Sequence, residues 1–198
     1  LADAETENND DATTDSAVNL ATVVTEGWKS GNVGGSTSSI TGDYSSSVTI
    51  APTAAKKGKW SGTSDEYGYY AASIDATKDF TFSADVVIDE MNVIGTGSST
   101  QSSGGIAIFN DITSKTGNNV AVSLYAPASS DTYANFCANY RENATKRAAW
   151  SEPLSTDTVK LLGGKNSAPL TLRIAKRSNV YTISCGDNSY VVYDNGNI

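Results

Sequence analysis

Apolar and polar residues alternate one by one along much of this chain, and a period of two is the mark of a half-buried β-strand. The clearest stretch is "DFTFSADVVIDEM" (79–91). Phe80, Phe82, Ala84, Val86 and Ile88 fall on one side, and Thr81, Ser83, Asp85 and Asp89 on the other. The same pattern predicts strands over 19–26 ("NLATVVTE"), 47–52 ("SVTIAP"), 66–73 ("EYGYYAAS"), 105–110 ("GIAIFN"), 119–126 ("NVAVSLYA"), 133–142 ("YANFCANYRE") and 189–194 ("SYVVYD"). "LTLRIAKR" and "VYTISC" predict a hairpin turning at Ser178 and Asn179. Residues 93–105 read as a polar loop, and 143–168 as a long irregular connection. No stretch shows helical periodicity. Many short strands separated by turn residues predict an all-β antiparallel sandwich.

Composition divides the chain unevenly. Its net charge is −8, and "LADAETENNDDATTD" holds six acids and no base, which leaves 16 acids against 14 bases for the rest. Without large apolar residues this end cannot offset its ordering entropy, so residues 1–18 are expected to be a disordered acidic tail and 19–198 a β-sandwich module. The near-neutral body has no basic face of the kind nucleic acids need, and no apolar run is long enough to cross a membrane. The A-x-A pattern in "LADAE", with the Ser/Thr/Asn-rich composition, points to a secreted, extracellular protein.

Candidate chemistry is narrow. The chain has no histidine, which excludes a nucleophile–histidine centre and histidine-bearing zinc sites. Cys137 and Cys185 fall on opposite strand faces by periodicity, so two free thiols are expected, with Cys185 buried. Asp85 and Asp89 share a face but lie about 13 Å apart at ~3.3 Å per residue, too far for two-carboxylate glycosidase work. A lyase using Lys or Arg as base stays open. "NDITSKTGNN", "CGDNS" and "YDNGN" supply oxygen ligands for a structural calcium, though the same residues are common turn formers.

Two stretches are candidates for binding. "KKGKWSGTSDEYGYY" (56–70) joins bases to aromatics, so Trp60 and Tyr67 are candidate sugar-stacking residues. Tyr67 and Tyr69 share one strand face and Tyr70 lies on the other, so the three tyrosines cannot form one surface. The second is a polar outward face: Asn135, Cys137, Asn139 and Arg141; Thr171, Arg173 and Arg177; Thr182 and Ser184; Ser123 and Tyr125. If these strands are neighbours, the amides and guanidinium forks suit sugar hydroxyls, and the arginines suit the carboxylates of an acidic glycan. A solvated outer face without a ligand has the same pattern.

The order "GKW…SDEYGYYAASIDATKDFTFSADVVID…GGIAIFND…LTLRIAKRSNVYTI" resembles the concanavalin-like (laminin-G-like) sandwich modules of secreted bacterial polysaccharide-degrading enzymes, notably pectate lyases. The resemblance rests on Lys57, Gly58 and Lys59; on Ser64, Asp65, Tyr69 and Tyr70; on Asp79, Phe80 and Thr81; and on Gly105 to Asp111, within residues 27–195. It implies a concanavalin-like jelly roll and a non-catalytic carbohydrate-binding module for plant cell-wall polysaccharide, pectin above all, beside a downstream catalytic domain. It also implies a further closing strand after "VVYDNGNI", so this chain is expected to be a portion of a longer polypeptide. A structural spacer or adhesion domain without glycan affinity is the alternative.

Overall fold

The computed structural model describes residues 23–53, 59–60, 65–88, 101–127, 135–142, 145–153 and 169–198; the side chains of 59–60, 101–102, 125–127 and 145–153 lie outside that description. The described residues form thirteen strands and no helix. Two four-stranded antiparallel sheets make the body. One has the order β13 (Asn188–Tyr193), β12 (Val180–Cys185), β11 (Leu170–Arg177), β6 (Phe80–Val86). The other has the order β10 (Thr145–Pro153), β9 (Asn135–Glu142), β8 (Asn119–Pro127), β7 (Gln101–Phe109). Their inner faces share one core. Phe80, Leu172, Ile174, Tyr181, Ile183, Cys185 and Val192 come from the first sheet, and Ile106, Val120, Val122, Leu124, Phe136, Ala138 and Tyr140 from the second. Each set has the parity that the alternation predicts, and the chain is an all-β antiparallel sandwich.

The β11–β12 hairpin turns at Ser178 and Asn179, and Ser178 holds a positive φ of 55°. The Asp79 carboxylate accepts from the Ser178 N–H at 2.7 Å, which pins this turn to the start of β6. Cys137 and Cys185 form no disulfide: they lie on different sheets, Cys185 buried on a core face and Cys137 on an outer face.

Two connections differ from expectation. Gln101–Gly105 belong to β7 rather than to a loop, because all five pair with Pro127–Ser123 of β8. Residues 145–153, expected to be irregular, pair with β9 as β10. "TKRAAWSEP" lacks clean alternation, and a register shift between Lys146 and Ala148 breaks its period, so pattern alone could not find it. The expected acidic tail lies outside the described residues, as do Lys57, Ser64 and Asp89.

A smaller layer sits beside the sandwich. β1 (Val24–Val33) pairs with β5 (Asp65–Ile74), whose other edge takes the two residues of β4 (Lys59–Trp60). β2 (Ser38–Gly42) and β3 (Val48–Pro52) form a separate hairpin. Asn32 clips this hairpin to β1: its Oδ1 accepts from the Ser38 N–H at 2.8 Å, and its Nδ2 donates to the Ser38 carbonyl at 3.2 Å. Sequence patterning missed β2 and placed β1 too early, because these strands bury little and so carry little apolar signal, and it missed β4, which is only two residues long.

Candidate functional site

The predicted polar face divides between the two sheets. β8 and β9 lie in one, and β11 and β12 in the other, so Asn135, Asn139, Arg141 and Tyr125 are on the far side of the core from Arg173 and Arg177. No single surface carries all six. The expectation failed at its conditional step, strand adjacency, which alternation does not encode.

Arg141 does face away from the core, but it is only 3% exposed, and Asn139 beside it only 4%. β5 and the 110–118 loop close over this end of the sheet. Arg141 pairs with the fully buried Asp65 of β5. Its Nε donates to the Gly117 carbonyl at 2.9 Å, and its Nη2 donates to the same oxygen. Gly117 can serve because a Cβ there would meet the Asp111 carbonyl at 2.5 Å. The Asp65 N–H donates to the Lys115 carbonyl at 2.8 Å, and the Tyr67 hydroxyl to the Ile112 carbonyl at 2.8 Å. Burial and the Asp65 carboxylate hold the Tyr67 phenol far above its ordinary value. Tyr67 also packs on Phe109, with ring centroids 5.4 Å apart. Arg141 and Tyr67 thus clasp β5 to the second sheet and its 110–118 loop, and Asn139, buried beside Arg141, donates to Cys137 Sγ at 3.4 Å, so neither strand end is an open surface. Asn135 is half-buried, and the side chains of Trp60 and Tyr125 lie outside the described residues.

Arg173 and Arg177 lie on the outer face of the first sheet, as their parity predicts. Arg173 faces Ser83 on β6 and Ser184 on β12, and Thr171 donates to Asp85 at 2.6 Å. Arg177 is exposed but tethered: its Nη1 donates to the carbonyls of Phe80 at 2.9 Å and Lys176 at 2.8 Å. Val191 and Tyr193 of β13 stand exposed beside them.

Two of the three loops considered for calcium carry internal hydrogen bonds. Asp111 accepts from the N–H and hydroxyl of Thr113, which holds its carboxyl below the usual range. Asp194 is buried and takes the Tyr140 hydroxyl at 3.3 Å and the Asn197 N–H at 3.1 Å. No group of three or more His, Cys, Asp or Glu side chains that could hold a metal ion occurs among the described residues.

Among the described residues an open stack of aromatic rings joins Tyr70 to two residues not considered for binding from the sequence, Trp28 and Tyr44. Trp28 of β1 stacks on Tyr70 of β5, with ring centroids 5.2 Å apart and planes 11° apart. Tyr44, in the turn of the β2–β3 hairpin, stacks on Trp28 at 5.8 Å and 26°. Register places Ser30 opposite Tyr70 and Asn32 opposite Gly68, so Trp28, Ser30 and Asn32 share the face of Tyr70. Gly42, with φ +86°, opens the turn that carries Tyr44. Asp43 accepts there from the Ser45 N–H at 2.8 Å and from the Ser45 hydroxyl, which keeps its carboxyl below the usual range. Trp28 and Tyr70 are half-buried, whereas Tyr44 is 71% exposed. A signal did exist: "GDYSSS" puts a large aromatic in a turn of small polar residues, where no core calls for it. No protein-family model, curated protein or solved structure matches the chain.

Proposed function

We propose that this chain is a non-catalytic carbohydrate-binding module of a secreted polysaccharide-degrading enzyme, with a concanavalin-like sandwich as scaffold and plant cell-wall polysaccharide as ligand. The observation that supports it is the Tyr44–Trp28–Tyr70 stack, whose outermost ring is open to solvent. An aromatic ring face is a flat, weakly negative surface that attracts the polarised C–H groups of a pyranose, and a rigid aromatic supplies contact area at low entropic cost. Ser30 on the same face supplies a hydroxyl beside it.

Affinity electrophoresis or calorimetry of the intact chain against cellulose fragments, β-glucan, xylan and polygalacturonate tests the proposal. Binding to at least one is expected, with a loss of at least tenfold on Tyr44→Ala. No binding to any of them removes it. The spacer reading draws on a different observation, the Arg141–Asp65 pair buried between layers, and it is the reading that a wholly negative panel would favour.

A further inference from the structure

Charge around the aromatic stack bears on which glycan it takes. The described segments that build the stack are 24–33, 38–52 and 65–74. Lys29 is the one basic residue in them. By register Lys29 lies opposite Ala71, on the face of the β1–β5 ribbon away from Tyr70, and it pairs with Glu26 at 3.3 Å. Glu26 in turn takes the Ser73 hydroxyl at 3.3 Å on that same far face. Among the described side chains of these segments, the Trp28 face therefore has no cation. It has a carboxylate instead: Asp43 adjoins Tyr44 in sequence and is tied into the turn through Ser45. Ser30, Asn32 and Ser45 add neutral polar groups near the rings, and Glu66, further along the Tyr70 face of β5, adds a second carboxylate.

A chain of uronic acids carries one negative charge per sugar. Recognising it needs guanidinium or ammonium groups positioned beside the ring platform. Here the fixed charge next to Tyr44 has the wrong sign, and the nearest lysine that register puts on the Tyr70 face, Lys59, stands opposite the carboxylate-bearing Glu66, four residues along β5 from Tyr70. We propose that the Tyr44–Trp28–Tyr70 surface binds an uncharged glycan, a β-glucan, xylan or mannan chain, and discriminates against pectate. This rests on the carbohydrate-binding reading and departs from the pectin preference that the sequence resemblance implies. Repulsion between Asp43 and one ligand carboxylate at contact range in water amounts to about a fivefold loss of affinity.

The test is a calorimetric comparison of the intact chain with cello-, xylo- and manno-oligosaccharides and with oligogalacturonates of equal length, at low and high salt. Wild type, Tyr44→Ala and Asp43→Asn are compared; the asparagine keeps an acceptor for Ser45 and removes only the charge. The expected result has three parts. A neutral oligosaccharide binds most tightly, and Tyr44→Ala weakens it at least tenfold. Asp43→Asn leaves neutral binding unchanged and improves oligogalacturonate binding about fivefold. High salt narrows the gap between the two classes. Tighter binding of oligogalacturonate, weakened by salt, overturns the proposal while leaving carbohydrate binding in place. So does neutral binding that Tyr44→Ala does not change. Binding of nothing in the panel overturns the carbohydrate-binding reading and this proposal with it.

Discussion

β9 and β11 are eight-residue strands, and each carries an outward-facing arginine whose neighbours on that face, Asn139 for Arg141 and Thr171 and Ala175 for Arg173, are small or polar. Their sequences suggest the same thing, a polar face with a guanidinium fork. In the structure Arg141 of β9 is 3% exposed and pairs with Asp65, whereas Arg173 of β11 is half-buried on the outer face of its sheet. The difference is set by what lies on top. β5 and the 110–118 loop cover one end of β9, and they meet it with a carboxylate and a carbonyl placed for the guanidinium. Alternation reports which side of a strand a residue takes. It does not report whether that side ends in water or under another layer.

The comparison breaks first at Arg141. Arg141→Ala leaves Asp65 buried and the Gly117 carbonyl without its two donors, and should cost about 3–5 kcal/mol of stability, since removing one partner of a buried pair strands the other charge. Urea denaturation measures this. A loss below about 1 kcal/mol would show that the clasp is not formed in solution.

The next largest effect concerns Tyr67, whose hydroxyl ties the same clasp to Ile112. Tyr67→Phe should cost about 1 kcal/mol at neutral pH. Its phenol is raised in the folded state, so the unfolded chain releases the proton first. Stability is therefore fully present below the ordinary tyrosine value of about 10, and falls as pH rises through 10 toward the folded value. Circular dichroism across alkaline pH should show a shallower decline for the phenylalanine variant. The buried Tyr181 phenol is raised too, by burial first, so some alkaline sensitivity should remain.

The smallest effect belongs to β11. Arg173→Ala should change stability by no more than about 0.5 kcal/mol, the usual range for surface substitutions. A loss comparable to that of Arg141→Ala would erase the contrast between the strands.

Much of the sandwich was legible in the sequence, because strands with one face in a core show it. Phe80 and Phe82 on β6, Phe136 and Ala138 on β9, and Tyr181 and Ile183 on β12 fall on the predicted inner faces. The opposite faces of Cys137 and Cys185, and of Tyr67 and Tyr70, follow from the same period of two. Less was legible of the candidate site. Trp28 sits in "VTEGWKSGNV", a strand interrupted by register shifts between Val24 and Lys29, and its partner Tyr44 lies sixteen positions away in a turn. Nothing local links the two rings.

The sequence by itself determined the class of fold, the parity of each core strand and the absence of histidine chemistry, because all three depend on residue type and spacing along one strand. Only the tertiary structure decided that the arginine-bearing strands belong to different sheets, that Arg141 closes a clasp, and that Tyr44 meets Trp28. Those facts depend on which strands become neighbours and which layer covers which face. Neighbours and layers are chosen by packing between residues far apart in the chain, on which a local period is silent.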